Sequence, residues 1–311
     1  MSKKPDTKIK VIGVGGSGGN AISRMMKCNI RGVELIAINA DAQDLQKAKC
    51  HTKVRIGRNI TKGLGTGMNP EVGRLAAEEQ RDEIEEALRG ADMVFIACGF
   101  GGGCGTGGSV VVADIAKKLG ALTLAVVTTP FSFEGIHRTE IAQAGLKKLN
   151  GKVDTLITIS NNKLLSVLEP KTTVMSAFWY CDEILRQAVQ GISDLIVLPG
   201  IINIDFADVK AIMKDSGSAL FGIGKAKGPD RAQEAARRAL SSPLLDLSCK
   251  GAKGILFNVS GGKDISLTEI DEAAKVITQE VSSDARVIFG AIQDEKLSKG
   301  EIKVTVIATG F

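Results

Sequence analysis

Two glycine-rich runs stand where a main chain could approach phosphate. Gly13-Val-Gly-Gly-Ser-Gly18 follows the apolar run 9–14 and matches G-x-G-x-x-G. Gly101-Gly-Gly-Cys-Gly-Thr-Gly107 follows a second apolar run, 93–98. Glycines let the backbone come close to a ligand, and a helix opening behind them offers unpaired N–H groups and a positive dipole end. Taken alone, the first run fits a nicotinamide or flavin dinucleotide site. That reading wants an Asp or Glu at the end of the second strand for the ribose. Here that strand ends at Asn39, with Asp41 two residues on. Residues 15–19 also spell G-x-S-x-G, the hydrolase elbow, but neither His51 nor His137 has an obvious partner role. No Gly-Lys pair precedes Ser or Thr, so a Walker A loop is absent. A tight strand–helix turn with no ligand is the plain alternative. The second run changes the balance. Two such turns in one sheet can wrap a triphosphate from both sides, and a dinucleotide enzyme does not need the second.

Other residues could recognise a base or move a proton. Phe178 and Asp182 are four apart on an apolar-striped segment and share a helix face. A ring can stack on a purine, and a carboxylate can accept from the N1–H and N2 amino edge of guanine. Core packing for Phe178 and a solvated helix charge for Asp182 are the ordinary alternatives. Glu134 and Arg138 read as an i,i+4 surface ion pair. Asn203-Ile-Asp205-Phe-Ala-Asp208 opens a helix, where Asp205 or Asp208 could simply cap free N–H groups. The six cysteines form no C-x-x-C pair, and with two histidines a zinc site is not expected. Free thiols in a reducing cytosol are the simple reading. Cys104 reads as a small tolerated substitution; the alternative, from its place at a helix N-terminus, is a thiol with a lowered pKa that is open to oxidation.

These residues need a scaffold, and the first half of the chain supplies a βαβ rhythm. Strands are expected at 9–14, 33–39, 93–98, 123–128 and 153–159. A helix follows the first glycine run to about Met26, another runs from the Asn69-Pro70-Glu71 start to Gly90, and a third covers 110–119. This predicts an α/β fold, a doubly wound, mostly parallel sheet. Residues 172–190 predict a long central helix whose stripe includes Val174, Phe178, Cys181, Leu185, Ala188 and Ile192, with ends near Pro170 and Gly191. A second, smaller α/β domain follows. It has helices at 208–213, 230–240 and from the capping box Ser266-Leu-Thr-Glu269 to about Val281, and strands at 254–259, 287–292 and 301–309. The division expected is 1–171, a linking segment 172–200, and 201–311. A net charge of +5, from 40 basic and 35 acidic residues without a basic block, argues against nucleic acid as a partner. No apolar run reaches the ~18 residues that span a bilayer, so direct membrane insertion is not expected.

The second glycine run resembles the G-G-G-T-G-[ST]-G signature of the tubulin/FtsZ GTPase family, most closely its bacterial FtsZ branch. Supporting segments are Lys10-Val-Ile-Gly-Val-Gly-Gly, Thr61-Lys-Gly-Leu-Gly-Thr-Gly-Met-Asn-Pro, Pro130-Phe-Ser-Phe-Glu-Gly, Pro199-Gly-Ile-Ile-Asn-Ile-Asp-Phe-Ala-Asp and Val304-Thr-Val-Ile-Ala-Thr-Gly-Phe. Their order and spacing extend the resemblance from Ile9 to Phe311. It implies a GTP-hydrolysing protein of the bacterial division ring, cytoplasmic and found at the division site. GTP or GDP would contact Gly16, Ser17, Gly18, Gly19 and Asn20 in the first run and Gly103, Cys104, Gly105 and Thr106 in the second. Glu134 and Arg138 would meet ribose and phosphate, Phe178 would stack on guanine, Asp182 would read it, and Asn161 would lie beside the nucleotide. The resemblance makes Asp205 and Asp208, helped by Asn203, the groups that polarise the attacking water on the next subunit's nucleotide. The partner is then another copy, stacked head to tail in a contact that does not close and so builds a filament. Magnesium would be held mainly through the nucleotide.

Two departures bear on activity. Cys104 replaces the usual Thr, and a thiol is the weaker donor. Trp179 and Tyr180, the only Trp and Tyr, adjoin the expected guanine stack and are expected to cover the base or meet a neighbouring subunit. The linker and tail peptide typical of the family do not follow Phe311, so membrane-anchoring partners are not assigned.

Overall fold

The computed structural model describes residues 7–165, 168–169, 171–198, 200–242, 251–294 and 297–311. Pro170 and Pro199, named above, and Cys249, one of the six cysteines, lie outside the described residues. The chain divides into two compact units, Met1–Gln190 and Gly191–Phe311.

In the first unit, Val- and Ile-rich runs become strands buried on both faces, as a parallel sheet requires. Strand β1 (Ile9–Val14) passes directly into helix α1 (Gly15–Lys27), followed by β2 (Val33–Asn39), α2 (Ala42–Lys47) and β3 (Thr52–Arg55). Helices α3 (Pro70–Glu79) and α4 (Arg81–Leu88) lead to β4 (Met93–Gly99). The second glycine run is a π-helical turn, Cys104–Gly108, continuing into α5 (Ser109–Lys118). Then come β5 (Leu122–Thr129), a 3-10 turn (Ser132–Glu134), α6 (Ile136–Asn150), β6 (Thr155–Ser160) and α7 (Asn161–Leu165). Helix α8 (Val174–Val197) begins in this unit and ends in the next.

The strand order is β3-β2-β1-β4-β5-β6, every neighbouring pair parallel. Successive side chains on a strand face opposite ways, which places helices on both faces. Ile12 and Val14 of β1 join a core with Val111, Val112 and Ile115 of α5. Gly13, between them, faces α1, where an added Cβ would lie 2.5 Å from Ile22 Cγ1 and 2.3 Å from the Gly18 carbonyl oxygen. The order reverses between β1 and β4, and a crevice at the carboxyl ends of such strands is where doubly wound sheets bind ligands. Both glycine turns follow these two strands.

In the second unit, α9 (Phe206–Met213), β7 (Gly217–Lys227), α10 (Arg231–Leu240), β8 (Gly254–Gly261), α11 (Leu267–Gln279), β9 (Arg286–Gln293) and β10 (Glu301–Thr309) follow in turn. The sheet order is β7-β10-β8-β9, with β8 and β9 parallel and β10 antiparallel to both neighbours. Ala232, Ala235, Ala236 and Ala239 of α10 pack with Ile255, Phe257, Val259, Ile302 and Val304. The expected capping box forms: Ser266 accepts from the Glu269 N–H and Glu269 from the Ser266 N–H.

The α/β class and parallel doubly wound sheet agree with the sequence reading, but several elements differ. The single helix expected from Pro70 to Gly90 is broken at Gln80, whose side chain turns away to accept from the Gly57 N–H. Helix α8 runs through Gly191, expected as its end. Glycine is kept there because an added Cβ would press within 3.0 Å of Thr305 Cγ2. Strand β7 is missed by the hydrophobic pattern because glycines interrupt it. At Gly224 the backbone of α10 comes so close that a Cβ would lie 2.1 Å from the Ala235 carbonyl oxygen.

Candidate nucleotide-binding site

A cleft of about 520 Å³ opens at the carboxyl ends of β1 and β4. Its volume falls within the ordinary range for small-molecule sites. Gly16, Ser17 and Asn20 line it from the start of α1, and Gly103, Cys104 and Gly105 from the π-helical turn. Glu134, Arg138, Asn161, Phe178 and Asp182 complete the wall, so most of the residues expected at a nucleotide meet in one place. Gly19 lines a smaller adjoining cavity with Asn20 and Ser23. Gly18 is occupied in backbone packing, its absent Cβ only 2.5 Å from the Ala97 carbonyl oxygen. Thr106 turns inward, its Oγ1 accepting from the Gly101 N–H at 3.1 Å, and its surface lines a different cavity.

The glycine-turn end of the cleft is held by main chain against main chain. The Asn69 side chain accepts from Glu71 and Val72 N–H groups, and Pro70 follows, so α3 starts sharply. That start seats the π-helical turn: a Cβ on Gly107 would lie 1.8 Å from the Pro70 carbonyl oxygen. Neither glycine run contains a lysine. Among the described residues lining the cleft, Arg138 is the one cation, against Asp41, Asp44, Glu134 and Asp182. Arg138 is already committed to Glu134, Nη1 to Oε2 at 2.6 Å. An anion in this cleft would therefore be held by backbone N–H groups rather than by side-chain charge.

Two lining acids that sequence reading did not assign to a triphosphate site, Asp41 and Asp44, are also committed. Asp41 Oδ1 caps α2, accepting from Gln43 and Asp44 N–H groups, and Asp44 Oδ2 accepts from Asn39 Nδ2. Among the described residues, no group of three or more His, Cys, Asp or Glu is placed to hold a metal ion. Asn161 differs: it is buried, it lines the cleft, and among the described residues its Oδ1 has no hydrogen-bond partner. A buried carbonyl oxygen left unsatisfied is costly, and a ligand donor would satisfy it.

At the other end, aromatic packing holds Phe178. Its ring meets the edge of buried Phe131 at 5.4 Å and 88°, and Phe131 stacks on Phe133 at 4.9 Å. Phe178 stays 40% exposed, too much for the core position that its stripe alone implies. Asp182 is buried, and burial pushes its carboxyl up to about 6 although Arg24 pulls it the other way. Arg24 Nε donates to Asp182 Oδ2 at 3.4 Å. Arg24 was invisible to sequence reading because a basic residue in the last turn of a helix is ordinary and its partner lies 158 positions away.

Burial speaks against the activated-thiol alternative for Cys104. Its thiol is pushed up to about 11, chiefly by burial, with the carboxylates of Asp44 and Asp41 adding to the rise. A protonated, buried thiol is neither activated nor open to oxidation. Asn203, Asp205 and Asp208 belong to the second unit, at the turn that opens α9. Asp205 is the N-cap residue without a side-chain cap bond, Asp208 lies in the first turn, and Asn203 Oδ1 accepts from the Gly200 N–H. Among the described residues, no helix is long and apolar enough to cross a membrane.

A doubly wound sheet with two lysine-free glycine turns at its switch point defines a nucleotide-binding class distinct from the P-loop proteins. The chain belongs to the tubulin/FtsZ family: the family model for its GTPase domain matches residues 8–169, and that for the FtsZ C-terminal domain matches 217–311. An FtsZ dimer from M. jannaschii superposes with a TM-score of 0.95 at 45% identity, covering 99% of this chain and 89% of that one. CetZ1 from Haloferax volcanii, a GDP-bound monomer, shares the fold at a TM-score of 0.83 and 22% identity, covering 98% and 94% of the two chains. Membership in this GTPase family supports guanine-nucleotide binding and GTP hydrolysis in general.

Proposed function

We propose that this protein binds GTP in the cleft, stacks head to tail with its own copies, and hydrolyses GTP only between subunits. The observation that carries this is a division of labour. The cleft's carboxylates are committed to an N-cap, an amide and two guanidinium groups. The Asn203–Asp205–Asp208 constellation stands on another unit, at a helix start. Hydrolysis needs a water in line with the terminal phosphate and neutralisation of the charge that develops there. Asp205 and Asp208 of one copy would orient and polarise that water over the nucleotide of the next, with Asn203 fixing the turn that carries them. Phe178 would stack on guanine, Asp182 would accept from its N1–H and amino group, and Asn161 and the Glu134–Arg138 pair would meet the sugar and phosphates. Magnesium would ride on the phosphates, because Asp41 and Asp44 already have partners.

The M. jannaschii FtsZ structure is a dimer, which supports self-association. A cytoplasmic division-ring scaffold is the cellular role we assign to the filament. The bacterial origin expected from sequence draws no support from that relative, which is archaeal. The test is phosphate release and light scattering with GTP and magnesium across protein concentration. Specific activity should rise steeply with concentration. Asp208→Ala should still scatter light with GTP but release little phosphate; normal turnover by that variant would overturn the role given to Asp208. Tight NADH binding, in place of GTP, would overturn the nucleotide assignment.

A further inference from the structure

Trp179 and Arg24 form a pair that the proposed chemistry leaves unused. The Arg24 guanidinium sits 4.7 Å from the centroid of the Trp179 ring, within cation–π range. Tyr180 meets that ring edge-on at 5.3 Å and 86°. Trp179 and Asp182 are three apart on α8, so they share a side of the helix, and Arg24 reaches both from α1. Only Nε of the guanidinium engages the carboxylate, through Oδ2. Among the described residues Asp182 Oδ1 has no protein partner, which leaves it for a ligand.

We propose that Arg24 and Trp179 together set the base specificity of the cleft: the indole holds the guanidinium in place, and the guanidinium keeps Asp182 charged so that it accepts from a purine edge bearing two N–H donors. The inference rests on the guanine-reading role given above to Asp182. Burial drives that carboxylate towards its neutral form, and Arg24 is the group opposing it. Glu134, from the turn before α6, faces the neighbouring Cys181 and is paired with Arg138. Glu183 on α8 is held by Arg186 and Gln187 and also feels Arg24. Neither offers Asp182 a cation. Arg24 is therefore a positioning residue, and Trp179 positions it in turn.

The experiment is calorimetric titration of the full chain with GTP and with inosine triphosphate, which lacks the amino group, between pH 5 and 8. In the wild type, GTP affinity should hold at neutral pH and fall as pH drops through about 6, where the carboxylate takes up its proton. Arg24→Gln should move that fall upward by about one pH unit or more and lower the preference for GTP over inosine triphosphate at pH 7 by roughly tenfold. Trp179→Leu should shift it in the same direction by less, and Trp179→Phe, which keeps a ring, should restore the wild-type profile. An unmoved midpoint in Arg24→Gln, or identical profiles for the Leu and Phe variants, would overturn the proposal while leaving the GTP assignment intact. Absence of GTP binding by the wild type at every pH would overturn the assignment and the clamp together.

Discussion

At the end of the cleft where we place the phosphates the chain offers main chain; at the end where we place the base it offers side chains. The glycine turns hold their shape by backbone packed on backbone, with the α3 start as buttress. Phe178, Asp182, Arg24 and Trp179 hold theirs by ring contacts and one ion pair. A site built of main chain is insensitive to which side chains its residues carry but intolerant of any atom added in the packed direction. A site built of side chains can be tuned by a single substitution and by pH. The contrast predicts where the molecule is brittle and where it is adjustable.

The largest effect should come from one methyl group at the phosphate end. A Cβ at 107 would stand 1.8 Å from the Pro70 carbonyl oxygen and 2.8 Å from the Arg74 nitrogen, both backbone atoms that cannot swing away. Gly107→Ala should lose roughly 3–5 kcal/mol of stability, at the upper end of overpacking costs, and lose GTP binding with it. Gly102→Ala, where an added Cβ meets nothing within 4 Å, should stay within about 0.5 kcal/mol of the wild type. Urea unfolding of the two variants side by side makes the comparison. Equal stabilities would break the claim that α3 seats the turn.

A smaller effect, of opposite sign for stability and binding, belongs to the base end. The folded-state pKa of Asp182 is raised from its ordinary 3.8 to about 6, so the folded protein holds its proton more tightly than the unfolded chain. Stability is therefore lost as pH rises through that window, and the full cost is present above it. Asp182→Asn should raise the melting temperature of the nucleotide-free protein at pH 8 but not at pH 4. The gain is at most about 3 kcal/mol, reduced because Arg24 loses its ion pair. Guanine recognition should fall by two orders of magnitude or more, roughly as when a built hydrogen-bonding partner is removed. A melting gain of equal size at both pH values would show that the buried charge is not its source.

The same contrast explains what could be read from the sequence. Backbone sites announce themselves because their geometry leaves a local record: both glycine runs, the Asn69-Pro70 start and the strands before them are contiguous signals. Five of the six parallel strands follow from that rhythm, the four-residue β3 being too short to show in it, and the switch point explains why two turns, 88 residues apart by their first glycines, meet in one cleft. Side-chain relationships leave no such record. Phe178 and Asp182 stood out only as helix neighbours, and nothing local links Arg24 to Trp179. The break at Gln80 was hidden for the same reason, since its cause is a loop 23 residues earlier. Strand β7 was hidden because glycine at 224 serves the close approach of α10, and a small residue erases the alternation by which strands are read.

The smallest effect should be at Cys104, where the two ends of the comparison can be set against each other in one residue. It belongs to the phosphate turn, so its side chain should matter little if the main chain holds the anion. Its thiol is buried, beside the backbone of Ala40 and Gly15, so it is already enclosed by the protein. Cys104→Thr should accordingly change turnover by less than about threefold, under ~1 kcal/mol and no more than one ordinary hydrogen bond. Alkylation read by mass spectrometry should modify exposed Cys28 well before Cys104 or Cys98, whose thiols burial pushes up to about 11 and about 12. A rise in turnover of tenfold or more in Cys104→Thr would mean that a side-chain hydroxyl contributes at the phosphate end after all. The two ends of the cleft would then differ in degree rather than in kind.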